Sequence, residues 1–192
     1  MSMSKSTTKI AIAYALKSLL EEQPFNKISV GDIAARAGIN RQTFYYHFRD
    51  IYDLTEWICL EEADKVIKDN KTHDTWQKGY LDVFLTIQKE KNFVMNVYRY
   101  TPKESIYRYL YSVTYNLLYG VVEEIVKNEH LSVREEDKSF IANFFKYSFV
   151  GIVLEWMDKD MQEDPRLIVK RVDSLIMGTM EQSLHNANYT HR

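Results

Sequence analysis

Apolar residues recur along this chain at spacings of three and four, and that period predicts one helix after another. The first run, 5–22, places Ile10, Ala13, Tyr14, Leu16 and Leu20 on its apolar side. It stops before Gln23-Pro24, because a residue preceding proline is pushed out of the α region. Ser29 opens a second helix with Asp32 three residues on, the spacing of a capping box; Ile33 and Ala37 face inward and Gly38 ends it. Asn40 caps a third helix, 41–48, whose inward residues are Phe44 and Phe48. Asp50 opens a fourth, reaching about residue 68 with Leu54, Trp57 and Ile58 on its apolar side.

The polar residues 69–75 read as a loop. A fifth helix, 75–90, presents Trp76, Tyr80, Phe84 and Ile87, and a short apolar helical stretch follows at 92–100. Thr101-Pro102-Lys103-Glu104 combines an N-cap, a proline at the first helical position and an acidic third residue, and opens a helix to about 129. The Ser132–Glu135 spacing opens another, to about 158, and Asp164-Pro165 opens the last, to about 184. Only 6 Gly and 3 Pro occur, and every proline falls at a helix start or between helices, so no assignment conflicts with a breaker. The pattern predicts an all-α chain of about nine helices, with a three-helix unit over 1–50 and a larger helical remainder over 51–192.

Composition, 45% hydrophobic and 27% charged, is that of an ordinary globular domain. The polar N-terminus leads into no apolar segment of signal-peptide type, no run of about 18 apolar residues predicts a membrane span, and the single Cys59 excludes an intramolecular disulfide framework. A cytoplasmic protein without membrane association is the expectation. Net charge is −2, but its distribution is uneven: residues 1–50 hold seven Lys/Arg against four Asp/Glu, a net +3, and the remainder is −5. A small basic reader of nucleic acid on an acidic body would show this asymmetry.

Residues 28–54 carry the chemistry. Two short helices joined by a tight glycine-containing turn have the layout of a helix-turn-helix. With Phe44 and Phe48 turned inward, the third helix offers Arg41, Gln42, Thr43, Tyr45, Tyr46 and His47 outward, several donors and no carboxylate. The segments DIAARAGINRQTFYYHF and RDIYDL closely resemble the TetR family of transcription regulators, and NRQTFYYHF with Trp57 further on is similar to the dihydroxyacetone-kinase regulators within it. The resemblance implies a dimer on a palindromic DNA operator, with a C-terminal domain that dimerises and answers a small-molecule effector, most often as a repressor. It places Arg41, Gln42 and Tyr46 at base edges, Thr43, Tyr45 and His47 at phosphate or sugar, and Ser29 as a cap near a phosphate. At the start of the fourth helix the family usually has lysine where this chain has Ile51; Arg49 or Lys27 is the candidate replacement.

For the effector, Tyr107, Tyr111, Tyr115 and Tyr119 recur every fourth residue and form one stripe. With Trp76, Phe84 and Met95, the residues Tyr107, Tyr111 and Tyr115 are candidates to line a pocket, although tyrosines serve equally well as half-buried packing. No cluster of Lys or Arg is read on the apolar faces, which disfavours a strongly anionic ligand. For the dimer, the last two helices are expected to meet a second copy, through Phe145, Phe149, Ile152 and Trp156. An enzyme is not expected: the five histidines are scattered, no metal or cofactor motif occurs, and Cys59 on an apolar stripe reads as a buried thiol. The rival reading is a helical adaptor that binds protein and no DNA.

Overall fold

The computed structural model describes residues 5–67, 75–176 and 178–188, and among these all regular structure is helical. Ten α-helices follow in order: α1 (Lys5–Glu22), α2 (Val30–Arg36), α3 (Arg41–His47), α4 (Ile51–Ile67), α5 (Trp76–Lys89), α6 (Lys91–Tyr100), α7 (Lys103–Asn128), α8 (Glu135–Asp158), α9 (Pro165–Ile176) and α10 (Thr179–Ala187). A single 3-10 turn, Phe25–Lys27, follows Pro24. The loop read at 69–75 lies outside the described residues except for Thr75, as does the predicted end of α4 at Lys68.

The all-α expectation holds, with one helix more than the sequence pattern suggested. The last predicted helix is two, separated at Gly178, which adopts φ 72 in the left-handed region that favours glycine. Its carbonyl then accepts from Gln182 N at 2.9 Å and starts α10.

Several start signals also resolve differently from their sequence reading. The apolar face of α1 is Ile12, Ala15, Leu16, Leu19 and Leu20, while Ile10 and Tyr14 stand exposed, because α2 and α6 pack on the former side. Thr101 does not cap α7. It closes α6, donating its N–H to Val97 O at 2.9 Å, and its buried hydroxyl has no acceptor among the described residues. Ser132 does not cap α8 either: Arg134 is the N-cap residue, and the Ser132 amide donates to Asn188 Oδ1 at 3.1 Å. The acidic first turn Glu135, Glu136 and Asp137 still complements the positive end of the helix dipole.

The chain forms two compact units. The first comprises described residues 5–62 and 90–106. Its core is Ile12, Leu16, Ile33, Phe44 and Leu54, all essentially without exposure, closed by Phe48, Ile58, Phe93 and Val97. Here α6 packs on α1, and Asn92 Nδ2 donates to Leu20 O at 3.2 Å while Lys17 meets Glu90 at 3.0 Å. The second unit comprises described residues 63–67, 75–89 and 107–188. Its central element is α8, which buries Phe145, Phe149, Val153 and Trp156. Phe84 is wholly buried between Tyr80 and Trp156, at ring distances of 5.0 and 4.9 Å. Two polar handles are satisfied on backbone: Tyr80 Oη donates to Phe149 O and Trp156 Nε1 to Glu163 O, both at 2.9 Å. By length and composition α8 is the one helix among those described that would suffice to cross a membrane; its inner face is instead packed into this core.

The caps of the first unit are checkable. Asn40 accepts from Thr43 N at 2.7 Å and so fixes the first turn of α3. Asn40→Ala should lower unfolding stability by about 1 kcal/mol, read as a shifted urea midpoint at unchanged m-value. An unchanged midpoint would show that the cap does not hold α3.

Candidate nucleic-acid interface

The helix-turn-helix is assembled from short-range chemistry. Ser29 and Asp32 form a complete capping box: Asp32 N donates to Ser29 Oγ at 3.2 Å and Ser29 N to Asp32 Oδ2 at 2.8 Å. The Ser29 hydroxyl also donates to Asp32 Oδ2 at 2.6 Å, and these bonds hold the Asp32 carboxyl below its ordinary range, helped further by the charge of Arg41. Gly38, at φ 67, makes the sharp exit from α2 and leads through Ile39 to the Asn40 cap. Arg36 ties α2 to α1, donating to Ser18 Oγ at 2.6 Å and Glu22 Oε2 at 2.7 Å.

Burial of Phe44 sets the rotation of α3, and Phe48 just beyond it packs against Trp57 at 5.6 Å. The opposite side then faces solvent. Arg41 and Gln42 are exposed, Tyr45 and Tyr46 are 56% and 67% exposed, and Thr43 and His47 are half-buried. Tyrosines this open lie outside the core, as the sequence reading required. Thr43 Oγ1 donates to Asn40 Oδ1 at 2.9 Å, and the Tyr46 ring meets the edge of His47 at 5.0 Å. Arg41 turns back, laying its guanidinium across Gly31 in the first turn of α2.

Arg49 is exposed beyond α3, with Nε donating to Asp50 Oδ2 at 3.2 Å, so a neighbouring carboxylate already offsets part of its charge. Ile51 is half-buried against the core, which accounts physically for an apolar residue there. One cation escaped the sequence reading: Lys9 on α1 lies over both Phe48 and Trp57, 5.2 Å from each ring centre.

The pocket candidates fall in both units. Met95 is buried on α6 in the first unit. Phe84 is spent in the core of the second, and Trp76 packs on Phe149 at 5.7 Å. Tyr107, Tyr111 and Tyr115 stay half-buried on α7, and the last two meet residues of α8. Tyr111 meets Tyr147 edge-on at 5.2 Å and Tyr115 Oη donates to Ser139 Oγ at 3.3 Å. Tyr119 hydrogen-bonds Glu135, which pushes its hydroxyl up to about 12.

Between these rings sits a residue the sequence reading passed over. Lys146 is buried, donates to Asn143 Oδ1 at 2.6 Å, and lies 4.4–5.8 Å from the Tyr147, Tyr111 and Tyr115 rings. Lys138, also on α8, is bound by Glu123 and Glu135 at 2.7 Å each; these are single buried lysines, and the sequence reading spoke only of a cluster. Both side chains are buried and meet partners on α7, which a hydropathy pattern cannot reveal.

Three of the four dimer candidates turn inward: Phe145, Phe149 and Trp156 are buried in the core of their own unit, and Ile152 is half-exposed. The aromatics that α8 leaves in water are Phe140, Phe144 and Tyr147, and α9 adds Leu167 and Leu175. All these sit on apolar helices where burial on one side and exposure on the other look alike in sequence. Cys59 is half-buried, and burial pushes its thiol up to about 12, the opposite of an activated nucleophile. Among the described residues no group of His, Cys, Asp or Glu is arranged to hold a metal.

Comparison with known proteins agrees with this geometry. Residues 12–56 match the model of bacterial regulatory proteins of the tetR family, and residues 74–178 match a transcriptional regulator C-terminal region of the same group. The HTH-type dhaKLM operon transcriptional activator DhaS of Lactococcus lactis is 27% identical over 157 residues, covering 81% of this chain and 82% of its own length. The HTH-type regulator EthR of Mycobacterium tuberculosis is 48% identical over 59 residues, 31% of this chain and 26% of its own. The solved structure of a dihydroxyacetone kinase operon activator DhaS superposes with a TM-score of 0.71 at 24% identity, over 91% of this chain and 96% of that one. The helix-turn-helix and the helical domain behind it are those of a transcription regulator, and the chain belongs to the TetR family.

Proposed function

We propose that this DNA-binding regulator works as a dimer on a palindromic operator and releases or grips it in response to a small molecule, as a cytoplasmic repressor. The observation that carries the reading is the outer face of α3: exposed tyrosines, Arg41 and Gln42 on a helix whose inner face is locked by Phe44. In this reading residues 1–50 read DNA and 51–192 regulate and dimerise. Gln42, Tyr46 and Arg41 meet base edges; Thr43, Tyr45, His47 and Ser29 position the reader on the phosphates, with Arg49 adding charge. An activator role is the second reading, favoured by the printed function of the Lactococcus relative. Deleting the gene separates the two: target transcripts rise for a repressor and fall for an activator.

Binding should be selective and salt-dependent. Full-length protein should enrich a pseudo-palindrome with half-site centres about one helical turn, or a multiple, apart. Affinity should fall on the order of 10³-fold between about 50 and 200 mM salt if roughly six or more phosphates are neutralised. Thr43→Ala should weaken all sequences alike, whereas Gln42→Ala should relax preference at one position per half-site, costing about 1–3 kcal/mol. No enriched sequence and a flat salt response would leave the adaptor reading standing.

The dimer is assigned to the exposed face of α8, Phe140, Phe144 and Tyr147, with the exposed Leu167 and Leu175 of α9 as further candidates. Exposed apolar side chains in this density are the ordinary mark of an interface. Phe144→Glu should give monomers in sedimentation and lose operator binding at unchanged helicity. Phe149→Glu should instead unfold the second unit. A dimeric Phe144→Glu protein would move the interface elsewhere.

The effector is assigned to the α7–α8 seam, where Tyr111 and Tyr115 meet Lys146 and supply hydroxyls and ring faces for a small ligand. A thermal-shift screen of metabolites, followed by operator binding with each hit, tests it. Hits should change DNA affinity by about 5–150-fold, the usual span of coupling between sites, and Tyr111→Ala should remove the response. Stabilising hits that leave DNA affinity untouched would make the seam structural only.

A further inference from the structure

Gly31 is the second residue of α2 and keeps an ordinary helical backbone; among the described residues the glycines at positive φ are Gly38 and Gly178. Backbone geometry therefore does not ask for glycine at 31, and alanine would be the better helix former. Space is the reason that remains. A Cβ placed on Gly31 would lie 2.5 Å from Nη2 of Arg41 and 3.1 Å from its Cζ and Nε. Arg41, the first residue of α3, lays its guanidinium flat across the bare first turn of α2. Asp32 is close enough on that turn to feel its positive charge.

We propose that Gly31 is a specificity-determining residue, which sets the direction from which the Arg41 guanidinium meets DNA. The proposal rests on the reading of α3 as the recognition helix. A guanidinium is a planar fork that bonds a base edge or phosphate through two donors at once, so its angle of approach decides which acceptors it can satisfy. With α2 bare at this point the Arg41 guanidinium rests on it, and the fork leaves α3 on the α2 side. One added methyl group would displace the guanidinium and redirect the fork. What must move is the far end of a flexible side chain, so the change falls on recognition and leaves the fold intact. Gly31 is thus a positioning residue that acts through Arg41.

The test is a selection from a random duplex library with full-length wild type, Gly31→Ala, Arg41→Ala and the double variant, with thermal unfolding of each. Wild type should enrich a palindromic motif; failure to do so would remove the DNA reading and this proposal with it. Given that motif, Gly31→Ala should unfold at the same or a higher temperature yet bind it about tenfold more weakly, or prefer another base at the position that Arg41→Ala relaxes. In the Arg41→Ala background the added Gly31→Ala should have no further effect. A Gly31→Ala protein with wild-type motif and affinity, or losses at 31 and 41 that simply add, would overturn the proposal while leaving the DNA reading in place. A lowered unfolding temperature with equal loss in both backgrounds would also overturn it, by showing that the glycine serves only the fold.

Discussion

The burial of Phe44 is the constraint on which the reading face depends. Its ring is without exposure in a core with Ile12, Leu16, Ile33 and Leu54. On a helix of seven residues one such anchor is enough to fix rotation, and rotation decides everything else about α3. Gln42, Tyr45 and Tyr46, 100° or more from the anchor, then face water. Replacing a buried phenylalanine by alanine costs about 3–5 kcal/mol, a large share of the roughly 5–15 kcal/mol that holds a domain together. No exposed residue on α3 approaches that weight. The same burial separates the outer face from the fold: Arg41, Gln42, Tyr45 and Tyr46 can vary with little effect on stability, because their side chains face water.

Short-range signals were the most legible part of the sequence. Ser29 with Asp32, Gly38, and Asn40 with Thr43 each stand within three residues of their partners, so their geometry follows from spacing alone. The two adjacent tyrosines were legible for the same reason, since a period of 3.6 that hides Phe44 cannot also hide 45 and 46. Thr101 and Ser132 had the same local spelling as the working caps and failed. In the first case the residue was already committed to the end of α6. In the second a remote side chain, Asn188, claimed the Ser132 amide. Local pattern is reliable only where no tertiary partner competes.

Side chains that depend on two helices at once were not legible. Lys146 drew no assignment from its sequence position, yet three tyrosine rings from α7 and α8 lie around its ammonium. Each such contact is worth about 0.5–2 kcal/mol depending on desolvation, and together with Asn143 they hold the cation in place. The α1 stripe shifted for a related reason. Ile10 and Tyr14 satisfy a helical period as well as Ile12 and Leu19 do, and only the position of α2 and α6 decides which set is covered.

Helix α8 shows where such ambiguity becomes informative. A helix with one partner needs an apolar stripe on one side; α8 carries Phe145, Phe149, Val153 and Trp156 inward and Phe140, Phe144 and Tyr147 outward. Its composition therefore exceeds what the core of its own unit can use. The excess is confined to one stripe, since 140, 144, 147 and 151 fall on successive turns, and the last of these is Gly151 with open space over its Cβ position. Aromatic side chains flanking a glycine make a surface with both relief and room, on which another helix can approach closely. Free in water, three aromatics would forfeit roughly 1.5–3 kcal/mol each relative to burial. A protein that keeps them outside its core while tightly packing the other face has solved its own folding without them, and their hydrophobic free energy remains available for association.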